Sequence, residues 1–273
     1  MMKSYYPILF LILFETIAVS LWLILDHIFY LFNFSYIGIC LSLGLFFYQR
    51  KYKFARRFVQ FAVGTYMFLY LGVLSRENMQ IEGFWYYLFL GVFEAAVIHY
   101  VVAKFFGPLL FGRGWCGYAC WTAMILDLLP FKTPSSPRKP FGFIRYVLFL
   151  LSFLFVGALF VLQIPDLETI MFYSFLIGNA LYYLIGIILA FVFKDNRAFC
   201  KYICPVAVVM KPAAKYSYVR VKVDPDLCVS CGKCLKVCPM NVDLLDLSRS
   251  RENGSECILC FRCAEECPKD AIH

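Results

Sequence analysis

Charge is the first scarcity in this sequence. Lys, Arg, Asp and Glu supply only 16% of the 273 residues, against 62% hydrophobic, and the mean hydropathy is +0.72. Such a balance excludes a soluble globule of ordinary composition. Histidine is scarce too: of three, only His27 and His99 fall at or within apolar runs, and they lie at different depths. That argues against a haem, whose two axial histidines must face each other at one level. Methionines do not cluster, with Met67, Met79, Met124, Met171, Met210 and Met240 scattered along the chain. No phosphate-binding glycine loop, hydrolytic triad or flavin attachment signal is present, so an independent catalytic site for a small substrate is not visible.

What is abundant is apolar sequence in membrane-length pieces. The runs at 7–25, 28–48, 58–75, 84–106, 142–163 and 170–193 are each about the 20 residues a helix needs to cross a bilayer. The first is too long for the apolar region of a signal peptide and no small-x-small cleavage site follows it. With the N-terminus inside, the inner segments collect Lys3, then Arg50 to Arg57, then Arg113 to Lys139, then Lys194 to Lys201, whereas the outer loops hold Arg76 with Asp26, Glu77, Glu82, Asp166 and Glu168. The bias places both termini in the cytoplasm. It also explains the net charge of +8 by an anionic inner leaflet, without nucleic acid.

After about residue 205 the apolar runs stop and a polar, cysteine-dense tail begins. It reads Cys228-x2-Cys231-x2-Cys234-x3-Cys238-Pro239 and again Cys257-x2-Cys260-x2-Cys263-x3-Cys267-Pro268, the spacing of bacterial two-cluster ferredoxins. Three thiolates grip one face of an iron–sulfur cube and the fourth cysteine turns to the other cube. Cys228, Cys231, Cys234 and Cys267 are therefore expected to hold one [4Fe-4S] cluster, and Cys257, Cys260, Cys263 and Cys238 the second. Zinc would leave half of these thiols without purpose, and disulfides do not persist in a reducing cytosol. Alternation over 218–223 predicts an opening strand, and the runs after Cys234 and Cys263 predict two helices. The last strand, near His273, is expected to be short or paired elsewhere.

A second pair of matched motifs lies at the ends of the fourth and sixth runs: Arg113-Gly-Trp115-Cys116-Gly-Tyr118-Ala-Cys120 and Arg197-Ala-Phe-Cys200-Lys-Tyr202-Ile-Cys204. Cysteines four apart share a helical face, and a duplicated hairpin-plus-motif unit would bring all four thiols together. Four facing thiolates suit a third iron–sulfur cluster or a zinc ion, and the tethered ferredoxin tail favours iron. Arg113 and Arg197 would offset cluster charge and donate to its sulfurs, or simply reflect the basic inner boundary. At membrane depth the ionisable residues are Glu15, Glu94 and His99; Glu94 or His99 would accept protons, or bond a neighbouring hydroxyl. Cys40 reads as a small buried hydrophobe.

Together these features resemble the polyferredoxin-type quinol dehydrogenases represented by NapH, with the related membrane domains of NosR and CcoG. The resemblance covers most of the chain from about residue 58. The second motif has the family's Cys204-Pro205, whereas the first ends Cys120-Trp121, and the runs over 7–48 exceed the family's four-helix core. The resemblance implies electron transfer between the quinone pool and a redox partner subunit or ferredoxin, with a quinone docking near Arg113, Trp115, Arg197, Glu94 and His99. The alternatives are a CcoG-like copper reductase and assembly factor, or a redox-sensing iron–sulfur membrane protein. The predicted fold is an α-helical membrane protein of six transmembrane helices (1–205), a linker (206–217) and an α+β two-[4Fe-4S] ferredoxin domain (218–273).

Overall fold

The computed structural model describes residues 5–93 and 95–273. Five of its helices are long and apolar enough to cross a membrane. They are α1 (Tyr6–Leu25), α2 (Ile28–Gln49), α3 (Ala55–Thr65) continued by a π-helical stretch to Leu74, α9 (Ile144–Val161) entered through a 3-10 turn at Pro140–Phe143, and α10 (Leu167–Phe193). Their leucines, isoleucines and phenylalanines stay largely exposed, as a lipid-facing surface requires. Glu15 on α1 is satisfied locally, accepting a 2.7 Å hydrogen bond from Ser35 Oγ on α2.

The fourth apolar run, 84–106, does not form the single span expected of it. α4 (Ile81–Leu90) ends at Gly91, whose φ of 71° is the left-handed conformation that closes helices. The chain then turns back into α5 (Ala95–Tyr100), a π-helical stretch (Val101–Phe106) and α6 (Gly107–Phe111). Phe84, near the start of α4, stacks on Tyr100 at 5.0 Å and meets Phe105 at 5.7 Å, so α4 and α5 run antiparallel. The segment before α4 dips along α10: Asn78 Nδ2 donates to Met171 O at 3.0 Å, and Gln80 reaches Gly178. From there α4 runs alongside α9, its Trp85 ring on Phe149 and Phe153 and its Phe89 ring on Phe153 and Phe160. The result is a re-entrant limb rather than a sixth continuous helix. Glu82, read as an outer-loop acid, is instead in the first turn of α4. Glu94 lies outside the described residues.

Two short helices follow each half of the body: α7 (Gly114–Tyr118) and α8 (Trp121–Leu126), then α11 (Ala198–Tyr202) and α12 (Val206–Ala214), the last filling most of the expected linker. The tail adds α13 (Lys233–Val237) and α14 (Arg262–Glu265). Its α+β expectation is corrected: among the described residues the predicted strand is reduced to one antiparallel bridge, Val223 to Ile272, flanked by Lys222 N to His273 O (2.7 Å) and Asp224 N to Ala271 O (2.7 Å). The alternating stretch pairs with 271–273 only at its end; over its first half Tyr218 N and Val219 N bond instead to Leu109 O and Leu110 O of α6. One hydrophobic core joins tail and body, containing Cys116, Leu126, Phe199, Cys200 and Met210 together with Val221, Met240, Ile258, Leu259 and Ile272.

Candidate iron–sulfur sites

In the tail the two Cys-x2-Cys-x2-Cys loops are conformational copies. Ser230 and Leu259 take φ of 50° and 53°, Gly232 and Phe261 take 71° and 55°, and Asn241 and Asp270 take 54° and 50°, each pair at equivalent places. These left-handed residues curl the backbone so that successive thiols face one point, a conformation uncommon enough for Leu and Phe to mark a constrained loop. Cys228, Cys231, Cys234 and Cys267 line one hollow of about 360 Å³, the crossed set expected from the spacing. Cys238 lies within electrostatic reach of Cys257, Cys260 and Cys263, which is the other crossed set. Val242 N donates to Cys238 Sγ at 3.4 Å and Ala271 N to Cys267 Sγ at 3.3 Å, the amide-to-sulfur bonds that favour thiolate ligands. Burial, with the neighbouring Cys260 and Cys238 adding to it, pushes the Cys257 thiol up to about 12; ligation to iron would compensate, since a coordinated thiol is deprotonated outright.

The duplicated motifs are brought together under the tail. Arg113 and Arg197 each stand directly before their short helix, α7 and α11, and Cys120 N and Cys204 N bond back to Trp115 O (3.2 Å) and Phe199 O (3.0 Å) in the same way. Arg113 Nη2 lies 3.7 Å from Cys116 Sγ and Arg197 Nη1 lies 3.9 Å from Cys200 Sγ, so each arginine donates to the first thiol of its own motif. Arg197 Nη1 also donates to Cys116 O at 3.0 Å, stitching one copy to the other. All four thiols are mutually within electrostatic range. Burial first, then the neighbouring thiols, push Cys204 up to about 12; burial pushes Cys200 to about 11 against the pull of Arg197. Trp121 replaces the proline found after Cys204 and keeps the geometry, because it opens α8 and anchors it through Nε1 to Asn179 Oδ1 at 2.7 Å.

The donor set fits an iron–sulfur cluster: four soft thiols beneath the tail, each pair with its own guanidinium. Among the described residues no three Cys, His, Asp or Glu side chains converge tightly enough for a single metal ion. That holds equally for the ferredoxin loops.

The charges around the site were not legible in the motifs. Glu256, directly before Cys257 and 1% exposed, is met by Arg113, by Arg138 and Arg145 at 3.0 Å, and by Lys211 at 3.4 Å. Asp127 answers Arg197 at 2.6 Å and Arg56 at 2.9 Å. Lys201 bridges Asp195 (2.7 Å) and Asn241 of the tail. A Cβ on Gly117 would lie 2.3 Å from the Ile258 carbonyl oxygen, so the tail's backbone is seated against this glycine. Tyr118 Oη donates to Leu259 O at 2.9 Å. Ile258, Leu259 and Asn241 belong to the loops carrying Cys257 and Cys238, so that thiol set is the one lying over the paired motifs.

Of the residues read as a quinone site, His99 and Trp115 meet, ring to ring at 4.8 Å, and Lys104, which sequence reasoning overlooked, places Nζ 4.2 Å from the Trp115 ring centroid. His99 Nε2 and Trp115 Nε1 are buried without a partner. A lone lysine in the apolar run HYVVAKFFGPLL was the available signal for Lys104.

Comparison with known proteins finds iron–sulfur families over these segments. A family described as 4Fe-4S dicluster domain matches residues 220–268, and one described as 4Fe-4S binding domain matches 96–131 and 177–223, the segments holding the two Cys-x3-Cys motifs. The chain is 27% identical over 177 residues to the uncharacterized protein MJ0750 of Methanocaldococcus jannaschii, covering 60% of this chain and 72% of that one. With MJ0749 of the same organism it shares 33% over 91 residues, 33% of this chain and 35% of the other. With the "Putative electron transport protein YccM" of Escherichia coli it shares 24% over 197 residues, 64% of this chain and 54% of YccM. The chain thus spans only about a third of MJ0749 and about half of YccM. No solved structure matches. The tail is a ferredoxin-type 4Fe-4S dicluster domain, and the chain is an iron–sulfur protein built on apolar helices.

Proposed function

We propose that this protein is a membrane electron-transfer protein of the NapH, NosR and CcoG kind. It passes electrons between the quinone pool and a redox partner subunit or soluble ferredoxin, with the tail and both termini in the cytoplasm. Cys116, Cys120, Cys200 and Cys204 hold a third cluster on this reading, and the clusters supply the one-electron chemistry. The observation that carries it is the joint between tail and body: Arg113 touches both Cys116 Sγ and Glu256, the neighbour of Cys257. The Cys257 set is then the inner relay, and the Cys228 set, with Cys231 exposed, is the port to a partner. The resemblance to YccM supports the electron-transport part of the reading.

The protein's side chains divide the remaining work. Arg113 and Arg197 offset negative charge at the paired motifs and donate to their sulfurs. The free N–H of Trp115 and the free nitrogen of His99, beside Lys104, offer donors to a quinone carbonyl and a place for its protons. In nanodiscs, a menaquinone or ubiquinone analogue should exchange electrons with the tail. Cys116→Ser should abolish that exchange while leaving the tail reducible by dithionite, and Cys116→Ser with Cys200→Ser should lower iron content. Native-rate exchange in Cys116→Ser would discard the reading. A copper-reducing role has one observation in its favour, Met210 Sδ at 3.7 Å from Cys116 Sγ; rapid reduction of a copper salt with no quinone reaction would select it.

A further inference from the structure

Almost every buried cation near the paired motifs has its carboxylate: Arg113, Arg138, Arg145 and Lys211 share Glu256, Arg56 and Arg197 share Asp127, and Lys201 has Asp195. Among the described residues buried Lys104, over the Trp115 ring, has none, and neither has a more exposed group of four cations at the tail. A shallow, open hollow at the seam of α6, the exit of α12 and the tail is lined by Lys215, Arg220, Arg249 and Arg251, with no acid in its wall. Among the described residues none of the four forms an ion pair. Arg249 Nη1 donates to Ser217 O (3.4 Å) and Arg251 Nη2 to Val221 O (2.9 Å), while Arg220 Nε is buried and has no partner. Asp246, on which Arg251 acts, is fully exposed and already accepts from Ser248 N at 2.8 Å. Three guanidiniums gathered without a counter-charge repel one another. Burial and then the charges of Arg249 and Arg251 hold the Arg220 guanidinium below its ordinary value. A bound anion would relieve that repulsion.

The surroundings say where the anion comes from. Gly112 in the wall ends α6, whose Leu109, Leu110 and Phe111 present apolar side chains outward. The stretch leading into the tail is tied to that helix by Tyr218 N to Leu109 O and Val219 N to Leu110 O, both 2.8 Å. Tyr216 and Tyr218 on this stretch are 66% and 80% exposed. Apolar helix, exposed tyrosines and a basic hollow in succession is the profile of a membrane–water interface.

We propose that this hollow binds a phosphate-class anion supplied by the headgroup of an anionic phospholipid whose chains lie along α6. Arg249 and Arg251 suit the forked geometry that guanidinium offers a phosphate, Arg220 Nε supplies a further donor, and Lys215 adds a point charge at the rim. The lipid would neutralise the seam and tie the tail to the bilayer beside Cys257. This site stands apart from the electron-transfer reading and does not depend on it.

The test uses the full chain purified in detergent, equilibrated with equal phosphatidylglycerol and phosphatidylcholine, and weighed by native mass spectrometry. Phosphatidylglycerol should be retained over phosphatidylcholine, and excess inorganic phosphate should displace it. Arg220→Gln with Arg249→Gln should cut retention by about tenfold or more, the loss of two charge-assisted contacts. Arg57→Gln, an exposed cation elsewhere on the body, should leave it unchanged. Visible absorbance of the clusters checks that the variant is folded. Equal retention in the double variant overturns the proposal. So does a protein that never prefers phosphatidylglycerol but gains a phosphate-dependent rise in Tm absent from the double variant, which would make free phosphate the occupant.

Discussion

In the first Cys-x3-Cys copy Arg113 turns outward to Glu256 of the tail, where Arg138, Arg145 and Lys211 also arrive; in the second Arg197 turns to Asp127 of the same body, shared with Arg56. The fifth position differs as well. The first copy has Gly117, against which the Ile258 carbonyl is seated, and the second has the buried Lys201, which reaches Asn241. Tyr118 donates to Leu259 O, whereas Tyr202 Oη accepts from Lys139 N of its own connecting loop at 2.9 Å. A local motif therefore fixes how two thiols and one arginine are held, and long-range partners decide what each copy does. The first copy is mainly a joint to the tail, and the second is mainly a frame for the body.

The largest break in this comparison should come from Glu256→Gln. It leaves buried Arg113 and Arg145 facing a neutral group, and breaking a buried ion pair costs about 3–5 kcal/mol. Undocking of the tail, read as faster proteolysis after α12 at unchanged tail absorbance, is the expected outcome; tail and body protected as in the native protein would remove the joint.

Asp127→Asn should act on the body instead, and less strongly. Arg197 keeps its bond to Cys116 O, and Arg56 keeps Gly117 O at 2.9 Å. A loss of about 1–3 kcal/mol is expected, the cost of a buried group left short of a partner. Burial alone would raise the Asp127 carboxyl, but Arg197 and Arg56 outweigh it and hold it below the ordinary value of 3.8. Its stabilisation is therefore complete above the ordinary value and lost as pH falls through the depressed folded one. Acid titration of Tm should show the gap between native protein and Asp127→Asn closing in that low window, and a gap constant across it would refute the pairing.

The contrast also explains which features the sequence disclosed. The tail's two cysteine loops were legible because their geometry is local: Ser230, Gly232, Leu259 and Phe261 curl loops of a few residues. The five long helices were legible because length and apolarity alone define them. The break at Gly91 was not, since hydropathy averages over 84–106 while the re-entrant path is set by Asn78 and Gln80 meeting α10. Nor was the loss of the tail's sheet, because 218–223 alternates correctly but pairs only at its end. Asp127, Asp195 and Glu256 stand outside every motif, and their partners lie far away along the chain or on another element. Lys104 was hidden by the same averaging, which outweighs one lysine with the apolar residues around it.

Gly117→Ala sharpens the comparison at one atom. The added Cβ meets a backbone oxygen that is not free to rotate away, so the Ile258 loop must lift, at about 1–3 kcal/mol for overpacking. Exchange between quinone analogue and tail should slow more than stability falls, because the displaced contact lies between the two thiol sets. Unchanged exchange would show that electrons do not cross at Gly117.

The smallest effects should come from the paired tyrosines, and they test the comparison most directly because the chemistry removed is the same. Tyr118→Phe deletes a donor to Leu259 O, and Tyr202→Phe deletes an acceptor for Lys139 N. Each bond is worth about 0.5–1.5 kcal/mol. In Tyr118→Phe the loss should surface as easier release of the tail. In Tyr202→Phe it should surface as faster hydrogen exchange around Lys139 with the tail held as before, because Tyr202 packs against Phe141 and Phe193 of the body. If both substitutions loosened the tail equally, the two copies would be sharing the docking, and the division into joint and frame would fail.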